Sequence, residues 1–496
     1  MSATMSTIPY SGRHLIGGEA CKGGGETFTV VNPGTEDILA ELHGASAAQI
    51  DDAIAAARRA YDSGIWSGLP AAERAAALRR LMAYLQAQRQ RLIDLSVQEA
   101  GCPVSSGTMH AQVSTPLQHG MDVIDLYLKL PEFEENPLPF DQRITLKGGA
   151  IQSLRRHVPT GVVAAISAYN FPFYTNLWKV LPALITGNCV ILRPSPLTPL
   201  AALMFAEAAE AAELPAGVLN VVVEEGAAGG IALSTHPDVD MVAFTGSSAV
   251  GKQVMAQAST TMKRLQLELG GKSAQIFLPD SVQDARMAAA IVCLAHAGQG
   301  CALGTRIFVP EADKQPLLES MAAPLAHVVI GNPADPKTTL GPVISAAQRA
   351  RCHRYVDLAV AHGARIVCGG KAPGSPTKGF FFEPTILDVP DNRNPAAQEE
   401  IFGPVVCVIG YRDIEHLVEM ANDSPYGLSG YVTGKDIKQA VAVASKLRTG
   451  TVQINGGLLS AYASSGGWRL SGLGRERGVE GLRIYQQMQV MNIQGA

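Results

Sequence analysis

Cys301 is the side chain best placed in this sequence to act as a nucleophile. It lies in the segment GQGCALGTR directly after a predicted helix, and the small neighbours Gly300 and Ala302 leave its sulfur accessible. A nucleophilic cysteine needs a partly open position, room for a substrate and help in losing its proton. The alternative is a buried structural thiol, which is the more common state of a free cysteine.

Glu268 is the candidate base. It lies between Leu267 and Leu269 in a predicted strand that a Gly-Gly turn follows, which is an unusual place for a surface charge. Partial burial would raise the pKa of this carboxylate toward neutrality and allow it to accept a proton. The alternative is an exposed glutamate at the end of a strand.

Asn170 is a candidate donor to an oxyanion. It follows an apolar strand and precedes Phe171-Pro172. A side-chain amide at the carboxyl end of a strand can donate a hydrogen bond to developing negative charge. Asparagine before proline is also a typical helix N-cap, and the local sequence alone favours the cap.

Two further segments suggest a nucleotide. FTGSSAVG at 244–251 follows a predicted strand and opens a helix, so Gly246 and Ser247 could approach a phosphate at the helix N-terminus. EEIFGPV at 399–405 places paired carboxylates before an aromatic residue, and a carboxylate can bind a ribose diol; the alternative is a solvated turn. The G-x-G-x-x-G fingerprint follows none of these strands, so the sequence does not predict a standard Rossmann motif.

The elements that must position these residues alternate in type. Residues 47–100 predict helices that end at Gly64 and Gly101. From 158 to 250 short β-branched runs alternate with alanine-rich helical runs, and a second such block covers about 265–455. This alternation predicts a doubly wound, mostly parallel sheet, which binds ligands at the carboxyl ends of its strands.

Two segments predict sheet edges. Residues 142–158 predict a hairpin around Gly148-Gly149, and residues 483–494 predict one more strand. Edges of this kind often pair with another subunit.

Composition excludes several classes of protein. A chain of 496 residues with 47% hydrophobic and 17% charged residues fits a globular enzyme of two to four domains at roughly 100–200 residues each. The net charge is -4, and the sequence contains no long run of like charges, so neither nucleic acid nor a membrane surface is an expected partner. Eight scattered cysteines without a C-x-x-C pair, and no apolar signal-peptide core in the first twenty residues, predict a cytoplasmic protein without bound metal.

Taken together, these segments resemble the aldehyde dehydrogenase superfamily over nearly the whole chain. The resemblance is carried by NFP at 170–172, FTGS at 244–247, LELGGK at 267–272, GQGC at 298–301, EEIFGP at 399–404 and SGLGRE at 471–476. The separation between Glu268 and Cys301 also suits that family.

The resemblance implies a role for each matching residue. Cys301 would be the nucleophile, Glu268 the general base, and Asn170 with the backbone N–H of Cys301 the oxyanion hole. Lys179 matches a lysine that helps to tune the thiol. The implied NAD(P) contacts are Ile166, Arg193, Ser195, Gly226, Phe244, Gly246, Ser247, Leu269, Glu400 and Phe402, and the implied substrate contacts are Phe171, Trp178, Gly300 and Ala302.

The resemblance also implies the architecture. A Rossmann-like NAD(P)-binding domain without the glycine fingerprint would comprise 1–135 and 159–264, and a second α/β catalytic domain would comprise 265–465. A small β oligomerisation element would comprise 136–158 and 466–496, and it would form a homodimer or homotetramer.

Three departures from the family pattern bear on specificity. The usual Lys-Pro-Ser-Glu is Arg193-Pro194-Ser195-Pro196, so the acidic residue expected at the adenosine ribose is missing and NAD is expected with NADP as the alternative. Tyr169 stands where tryptophan is common. The usual Pro-Phe-Gly-Gly is replaced at 464–467 by Ser-Ser-Gly-Gly after a segment of mostly small residues, which favours a bulky apolar or aromatic aldehyde.

The expected reaction is oxidation of an aldehyde to a carboxylic acid through a thioester on Cys301. A CoA-acylating dehydrogenase is disfavoured because such enzymes generally lack the glutamate present at 268. A cysteine hydrolase would need a histidine partner, for which His296 is the nearest in sequence. A non-catalytic binding protein on the same scaffold would have no use for Cys301, Glu268 and Asn170 together.

Overall fold

The computed structural model describes residues 12–145, 148–458 and 460–494. Its strands are β1 His14–Ile16, β2 Glu19–Cys21, β3 Thr27–Val31, β4 Ile38–His43, β5 Phe133–Glu135, β6 Ile151–Pro159, β7 Val162–Ile166, β8 Cys189–Arg193, β9 Leu219–Val221, β10 Met241–Thr245, β11 Arg264–Glu268, β12 Ala274–Phe277, β13 Arg306–Pro310, β14 Arg365–Cys368, β15 Thr385–Asp388, β16 Val405–Tyr411, β17 Ser429–Thr433, β18 Thr451–Ile454, β19 Gly472–Leu473 and β20 Gln486–Gln494.

The helices cover the alanine-rich and leucine-rich segments. They are α1 Ala47–Asp62, α2 Ala71–Ala87, α3 Arg89–Gln98, α4 Gly107–Met109, α5 Thr115–Leu128, α6 Pro172–Ile185, α7 Leu200–Ala211, α8 Ala228–Thr235, α9 Ser248–Ala258, α10 Ala288–Leu294, α11 Glu311–Ala322, α12 Ala346–Ala361, α13 Pro395–Gln398, α14 Ile414–Asn422, α15 Ile437–Ala444 and α16 Gly478–Arg483. In the described ranges, none of these helices combines the length and the apolar character needed to cross a bilayer.

The first large sheet has the strand order β19-β11-β10-β7-β8-β9-β1-β2. The neighbours among β11, β10, β7, β8 and β9 pair in parallel, while β19, β1 and β2 add antiparallel edges. The central strands β7 and β8 are buried throughout, as expected for a parallel sheet covered on both faces. The alternating pattern therefore correctly predicts a doubly wound sheet.

The second large sheet has the order β14-β15-β16-β13-β12-β17-β18. All neighbours pair in parallel except the antiparallel edge strand β14. A separate hydrophobic cluster that includes Phe308, Tyr355 and Tyr411 packs against it. The protein thus has two α/β layers, each with its own core.

Strand β11 belongs to the first sheet, although the sequence assigns residues from 265 onward to the second block. It pairs in parallel with β10 over five residues, while β12, only a few residues later, pairs with β13 and β17 in the second sheet. The turn at Gly270-Gly271 carries the chain from one sheet to the other. The carboxyl end of β11 consequently faces the boundary between the two layers.

A three-stranded sheet with the order β20-β6-β5 lies apart from the two large ones. The predicted C-terminal strand is confirmed as β20, which pairs with β6 over nine residue pairs. The predicted hairpin is only partly correct, because its first arm is reduced to one bridge between Ile144 and Ala150, and residues 146–147 of its turn lie outside the described residues. In place of the predicted hairpin arm, the second strand that pairs with β6 is β5, which the sequence assigns to the first domain.

Candidate active site

Cys301 and Glu268 meet at the boundary between the two large sheets. Glu268 is the last residue of β11, and Cys301 lies between the short helix α10 and strand β13 of the second sheet. The Cys301 Sγ donates a hydrogen bond to Glu268 Oε1 over 3.7 Å, and both residues are half-buried. The structure therefore brings together two residues that the sequence places 33 positions apart.

The Gly-Gly turn after β11 permits this close approach. A Cβ at Gly271 would lie 2.5 Å from the carbonyl oxygen of Cys301, and one at Gly270 would lie 2.3 Å from Glu400 Oε2. Contacts this short are sterically forbidden, so any side chain at these positions would displace the nucleophile segment or Glu400. The LELGGK motif thus supplies both the carboxylate and the space around it.

Burial shapes the ionisation of the pair. Desolvation first, and then the negative charge of Glu476, raises the pKa of Glu268 to about 8. Desolvation and the nearby carboxylates also raise the pKa of the Cys301 thiol well above its usual range. At neutral pH the thiol is therefore protonated, and Glu268 is the group in hydrogen-bonding contact that can receive its proton.

Lys179 lies behind Glu268 rather than against the sulfur. Its amine is fully buried in α6 and donates to Gln266 Oε1 at 2.9 Å and to Glu476 Oε1 at 3.2 Å. Its positive charge lowers the pKa of Glu268, opposing the effect of Glu476. Lys179 therefore acts on the ionisation of Glu268, and through Glu268 on Cys301.

Asn170 points toward the nucleophile segment. Its Nδ2 donates to the carbonyl oxygen of Gln299 at 2.8 Å, and its own carbonyl oxygen accepts from Gln112 Nε2 at 2.8 Å. The N-cap of α6 is Phe171, which makes no side-chain cap bond, so the structure does not place Asn170 as the helix cap. Within the described residues the backbone N–H of Cys301 makes no hydrogen bond, which leaves it able to donate to a substrate oxygen.

Three of the residues predicted to contact the cofactor lie at or near the carboxyl ends of the parallel strands of the first sheet. Ile166 ends β7, Arg193 ends β8, and Phe244 lies near the end of β10. Ser247 is the N-cap of the eleven-residue helix α9, and its side chain accepts from the N–H of Val250. This edge of the sheet therefore exposes a helix N-terminus beside a row of strand ends, as a dinucleotide requires.

Close packing explains the small residues in this region. A Cβ at Gly246 would lie 2.4 Å from the Phe244 ring, and one at Gly251 would lie 2.6 Å from Leu269 Cδ1. Leu269 therefore packs on the first turns of α9, and the loop after β10 lies directly against Phe244.

Arg193 is held in a buried ion pair that the sequence did not predict. Its Nε and Nη2 donate to Glu224 Oε1 at 3.1 and 2.9 Å, and Nη2 also bonds the carbonyl oxygen of Gly226. Glu224 in turn accepts the N–H groups of Gly229 and Gly230 at the start of α8. The positive charge of Arg193 is therefore already neutralised by the protein. Ser195 follows, with its Oγ accepting from the N–H of Leu197.

Glu400 and Phe402 lie on the second-sheet side of the same boundary. Glu400 Oε1 accepts from the N–H of Gly271 at 2.9 Å, and burial raises the pKa of Glu400 to about 7. The ring of Phe402 meets the ring of Tyr169 edge to face at 5.9 Å. The predicted alternative, a solvated turn, is therefore wrong for Glu400.

Aromatic side chains form one wall of the site along α6. Phe171, Tyr174 and Trp178 follow one another with ring centroids 6.2 and 6.0 Å apart. The guanidinium of Arg477 stacks over Tyr174 and Trp178, and His119 meets the edge of Trp178. Beside Cys301, the backbone carbonyl of Ala302 accepts a hydrogen bond from Tyr431, and Gly300 packs against Leu303.

His296 does not serve Cys301. It is fully buried, its ring contacts Phe171 at a centroid distance of 5.5 Å, and burial lowers its pKa to about 4. Over the residues that the structure describes, no cluster of three or more His, Cys, Asp or Glu side chains has a metal-binding arrangement.

Sequence reasoning missed four residues of this region: Glu224, Gln266, Glu476 and Arg477. Glu476 and Arg477 lie in or next to the quoted SGLGRE motif, where the charged triplet Arg-Glu-Arg between glycines was the available signal. Glu224 and Gln266 carry no local signal, because their roles depend on partners distant in the chain.

Comparison with known proteins identifies the family. The model of the aldehyde dehydrogenase family matches residues 21–491. Betaine aldehyde dehydrogenase from Staphylococcus aureus, crystallised with NAD+, is 33% identical, covers 97% of this chain and 95% of its own, and superposes with a TM-score of 0.92. A mutant of that enzyme with NAD+ and a BME-modified cysteine is 34% identical over 98% of both chains, with a TM-score of 0.92.

A third solved structure is equally similar. A mutant of aldehyde dehydrogenase C from Pseudomonas syringae, complexed with NAD+ and octanal, is 34% identical, covers 97% of this chain and 96% of its own, and has a TM-score of 0.90. The family model spans nearly the whole sequence, and the fold agrees over the same length. This chain therefore belongs to the aldehyde dehydrogenase family.

Proposed function

We propose that this protein oxidises an aldehyde to a carboxylic acid with NAD+ through a covalent thioester on Cys301. The observation that carries the proposal is the contact of 3.7 Å between the Cys301 thiol and the Glu268 carboxylate, with the Asn170 amide held against the same segment. A nucleophile, a base with a pKa of about 8 and an oxyanion donor are the groups that acyl chemistry at neutral pH requires.

The first step uses all three groups. Glu268 takes the thiol proton as the sulfur of Cys301 forms a bond to the aldehyde carbon, and the carbonyl oxygen becomes an oxyanion. The Asn170 amide and the backbone N–H of Cys301 donate hydrogen bonds to that oxygen. Removal of one such donor typically slows a reaction by about 10²–10³-fold.

The second step releases the product. When bound, the dinucleotide supplies the two-electron acceptor that converts the thiohemiacetal into a thioester. Glu268 gives the thiol proton to solvent and then accepts a proton from a water molecule, the resulting hydroxide attacks the thioester carbon, and the carbon–sulfur bond breaks. The acid leaves as a carboxylate, and the sulfur of Cys301 regains a proton.

The residues at the strand ends fit a dinucleotide. The N-terminus of α9 with Ser247 suits a pyrophosphate, and the close packing of Gly246 on Phe244 leaves no side chain in the way. Glu400 and Phe402 would hold the nicotinamide ribose and ring, with Ile166, Ser195 and Leu269 lining the groove. The three similar solved structures all contain NAD+.

The Arg193–Glu224 ion pair predicts a preference for NAD+ over NADP+. Because Glu224 already neutralises Arg193, no free guanidinium is available for a 2′-phosphate. We expect Glu224→Gln to raise the ratio of kcat/KM with NADP+ to kcat/KM with NAD+ by about 10-fold, since a released arginine can bind that phosphate. Glu225→Gln, which alters the exposed neighbouring glutamate, is the matched control. An unchanged ratio in a stable Glu224→Gln variant would contradict this role.

Glu476 tunes the base in this proposal, and its removal should shift the pH profile. The active form of Glu268 is ionised, so the rate should rise with pH through about 8. Glu476→Gln removes a negative charge and frees Lys179 from its partner, and both changes lower the pKa of Glu268. We expect the rising limb of kcat/KM to move to lower pH, while Glu480→Gln on the exposed side of α16 leaves it in place. A shift in the opposite direction would refute the assignment.

The substrate is an aldehyde with a bulky apolar or aromatic body. The half-buried rings of Phe171 and Tyr174 offer flat apolar surface beside Asn170, which supports this class. The similar structures are named for betaine aldehyde or contain octanal, so the family accommodates different bodies.

An absorbance assay at the NAD(P)H band tests the proposal. Both cofactors are crossed with aliphatic aldehydes, aromatic aldehydes and semialdehydes. The proposal expects NADH formation with at least one class and release of free acid, and a rate that does not increase when CoA is added. Cofactor binding without turnover across the panel would favour a non-catalytic protein, and ester cleavage alone, without oxidation, would favour a hydrolase.

We also propose a homo-oligomer built on the three-stranded sheet. Strand β20 forms an open edge of that sheet, and its Met488 and Val490 side chains are 61% and 47% exposed. An exposed apolar edge strand is a natural pairing surface for a second copy. We expect Val490→Glu to reduce the molar mass measured by light scattering relative to the wild type, with Ile231→Glu on exposed α8 as the control.

A further inference from the structure

Three buried nitrogen atoms near Trp178 have no hydrogen-bond partner in the described part of the chain. They are Arg477 Nε, Trp178 Nε1 and His119 Nδ1. They belong to one cluster, since the Arg477 guanidinium stacks 5.3 Å from the Trp178 ring and the His119 ring lies 6.0 Å from it. Buried polar groups in folded proteins nearly always have partners, so three unsatisfied nitrogens together indicate a missing ligand.

The cluster is cationic, and Asp122, whose charge acts on His119, does not pair with its guanidinium. Among the described residues, no acidic side chain lies within ion-pair distance of Arg477, whereas Arg193, which is also buried, has Glu224. Desolvation lowers the pKa of Arg477 to about 10, so its guanidinium remains charged at neutral pH. Burial and the charge of Arg477 lower the pKa of His119, so its ring is neutral and can donate one hydrogen bond. A ligand for this cluster must therefore be an anion that accepts several hydrogen bonds.

The cluster lies at the far end of the aromatic wall. Tyr174 and Trp178 are one turn apart on α6, and Phe171, next to Asn170, begins the row. Trp178 lies seven positions after Phe171, which corresponds to about 10 Å along the helix axis. The segment 461–465 closes the region from the other side, through hydrogen bonds of Ala461 with Gly478 and of Ser465 with Glu476. The wall therefore leads from the oxyanion donor at one end to an unpaired guanidinium at the other.

We infer that the substrate is an aldehyde with a flat, unsaturated or aromatic body and a carboxylate at its far end, which Arg477 binds. The inference rests on the proposed function, because it identifies the group at the other end of the proposed substrate, away from the aldehyde carbon that Cys301 attacks. The planar guanidinium offers two parallel N–H groups to a carboxylate, and the rings of Tyr174 and Trp178 pack against the body. Trp178 Nε1 and the neutral His119 are further unsatisfied donors in the same cluster.

Matched pairs of aldehydes test this inference. The probes are 4-carboxybenzaldehyde and 4-carboxycinnamaldehyde, each compared with its methyl ester, which keeps the shape and removes the charge. We expect the wild type to prefer the acid of at least one pair by kcat/KM. Arg477→Met should lower the acid-to-ester ratio of that pair by about 10- to 100-fold, mainly through KM, because one bidentate charged contact is lost. Lys129→Met removes an exposed cation near Tyr462 and should leave the ratio unchanged, which separates direct contact from a general attraction for anions.

Each outcome is informative. If the wild type oxidises the esters but shows no preference for either acid, or if Arg477→Met leaves the ratio unchanged, the carboxylate site is refuted and Arg477 only stacks on α6. If the wild type oxidises none of the four probes nor any other aldehyde, the proposed function fails instead. Should Arg477→Met not fold, Arg477→Lys retains the stacked charge but loses the fork, and the same ratio should fall while the ester rates persist.

Discussion

Cys301→Ala should abolish aldehyde oxidation. The sulfur is the atom that bonds to the aldehyde carbon in the proposed reaction, and alanine leaves a methyl group in its place. Removal of a covalent nucleophile typically costs about 10⁴-fold or more in kcat, because the remaining groups only bind and polarise the substrate. The measurement is NADH formation at saturating aldehyde and NAD+, followed over hours so that a residual rate of this size can be detected.

The control for this variant must show that loss of activity is not loss of the fold. Cys368→Ala alters another half-buried free thiol, on β14 of the second sheet, and should retain full activity. Cys301→Ala should also still bind NAD+, since the strand-end residues proposed to hold the cofactor, Ile166, Arg193 and Phe244, are not bonded to the sulfur. Normal turnover in Cys301→Ala would overturn the nucleophile assignment, and with it the thioester.

The candidate nucleophile and the candidate base could be located in the sequence because their signals are local. Cys301 and Glu268 both lie in short segments whose glycines have a direct steric purpose, as the close approaches at Gly270 and Gly271 show. The alternation of strands and helices likewise depends on side chains close in sequence, which is why the first sheet was predicted with its parallel strands.

Contacts between distant parts of the chain could not be predicted in the same way. Lys179 and Glu476 are 297 residues apart, and Asn170 bonds Gln299 across 129 residues instead of capping α6. Local propensity favours the cap, but the tertiary hydrogen bond overrides it. The same limit applies to the partners of β6. The sequence predicts that this strand pairs with the preceding arm of a hairpin, whereas it is observed to pair with β5 and β20.

The placement of Glu268 against the thiol has a consequence that the motif alone does not imply. The motif suggests a base for water in the hydrolytic step, whereas the hydrogen bond from Cys301 Sγ places the same carboxylate where it can also accept the thiol proton. In the proposed reaction one group thus serves two proton transfers, before and after oxidation. The charges of Glu476 and Lys179 matter for both transfers, since they shift the pKa of the carboxylate in opposite directions and that pKa must suit each acceptor role.

Glu268→Gln should separate these two roles. Glutamine has nearly the same shape but cannot take a proton, so steady-state turnover should fall by about 10²–10⁴-fold. The first turnover should still produce a burst of about one NADH per active site, with a burst rate below that of the wild type at neutral pH. Loss of the negative charge beside the sulfur lowers the raised pKa of Cys301, so the burst should recover as pH increases. The later steady-state rate should stay low, because the water molecule still lacks its base.

Rapid-mixing absorbance measurements across a pH series resolve the two phases, and Glu415→Gln on the exposed face of α14 is the control. We expect alkaline pH to restore the burst but not the turnover. This pattern follows if one carboxylate accepts protons from two donors of different acidity, the thiol and water. Loss of the Glu268 charge removes one cause of the raised pKa of the thiol, so rising pH favours ionisation of the thiol, whereas water stays un-ionised at mildly alkaline pH. Equal loss of both phases at every pH would mean that Glu268 acts only before or during oxidation, and the hydrolytic role would then belong to another group.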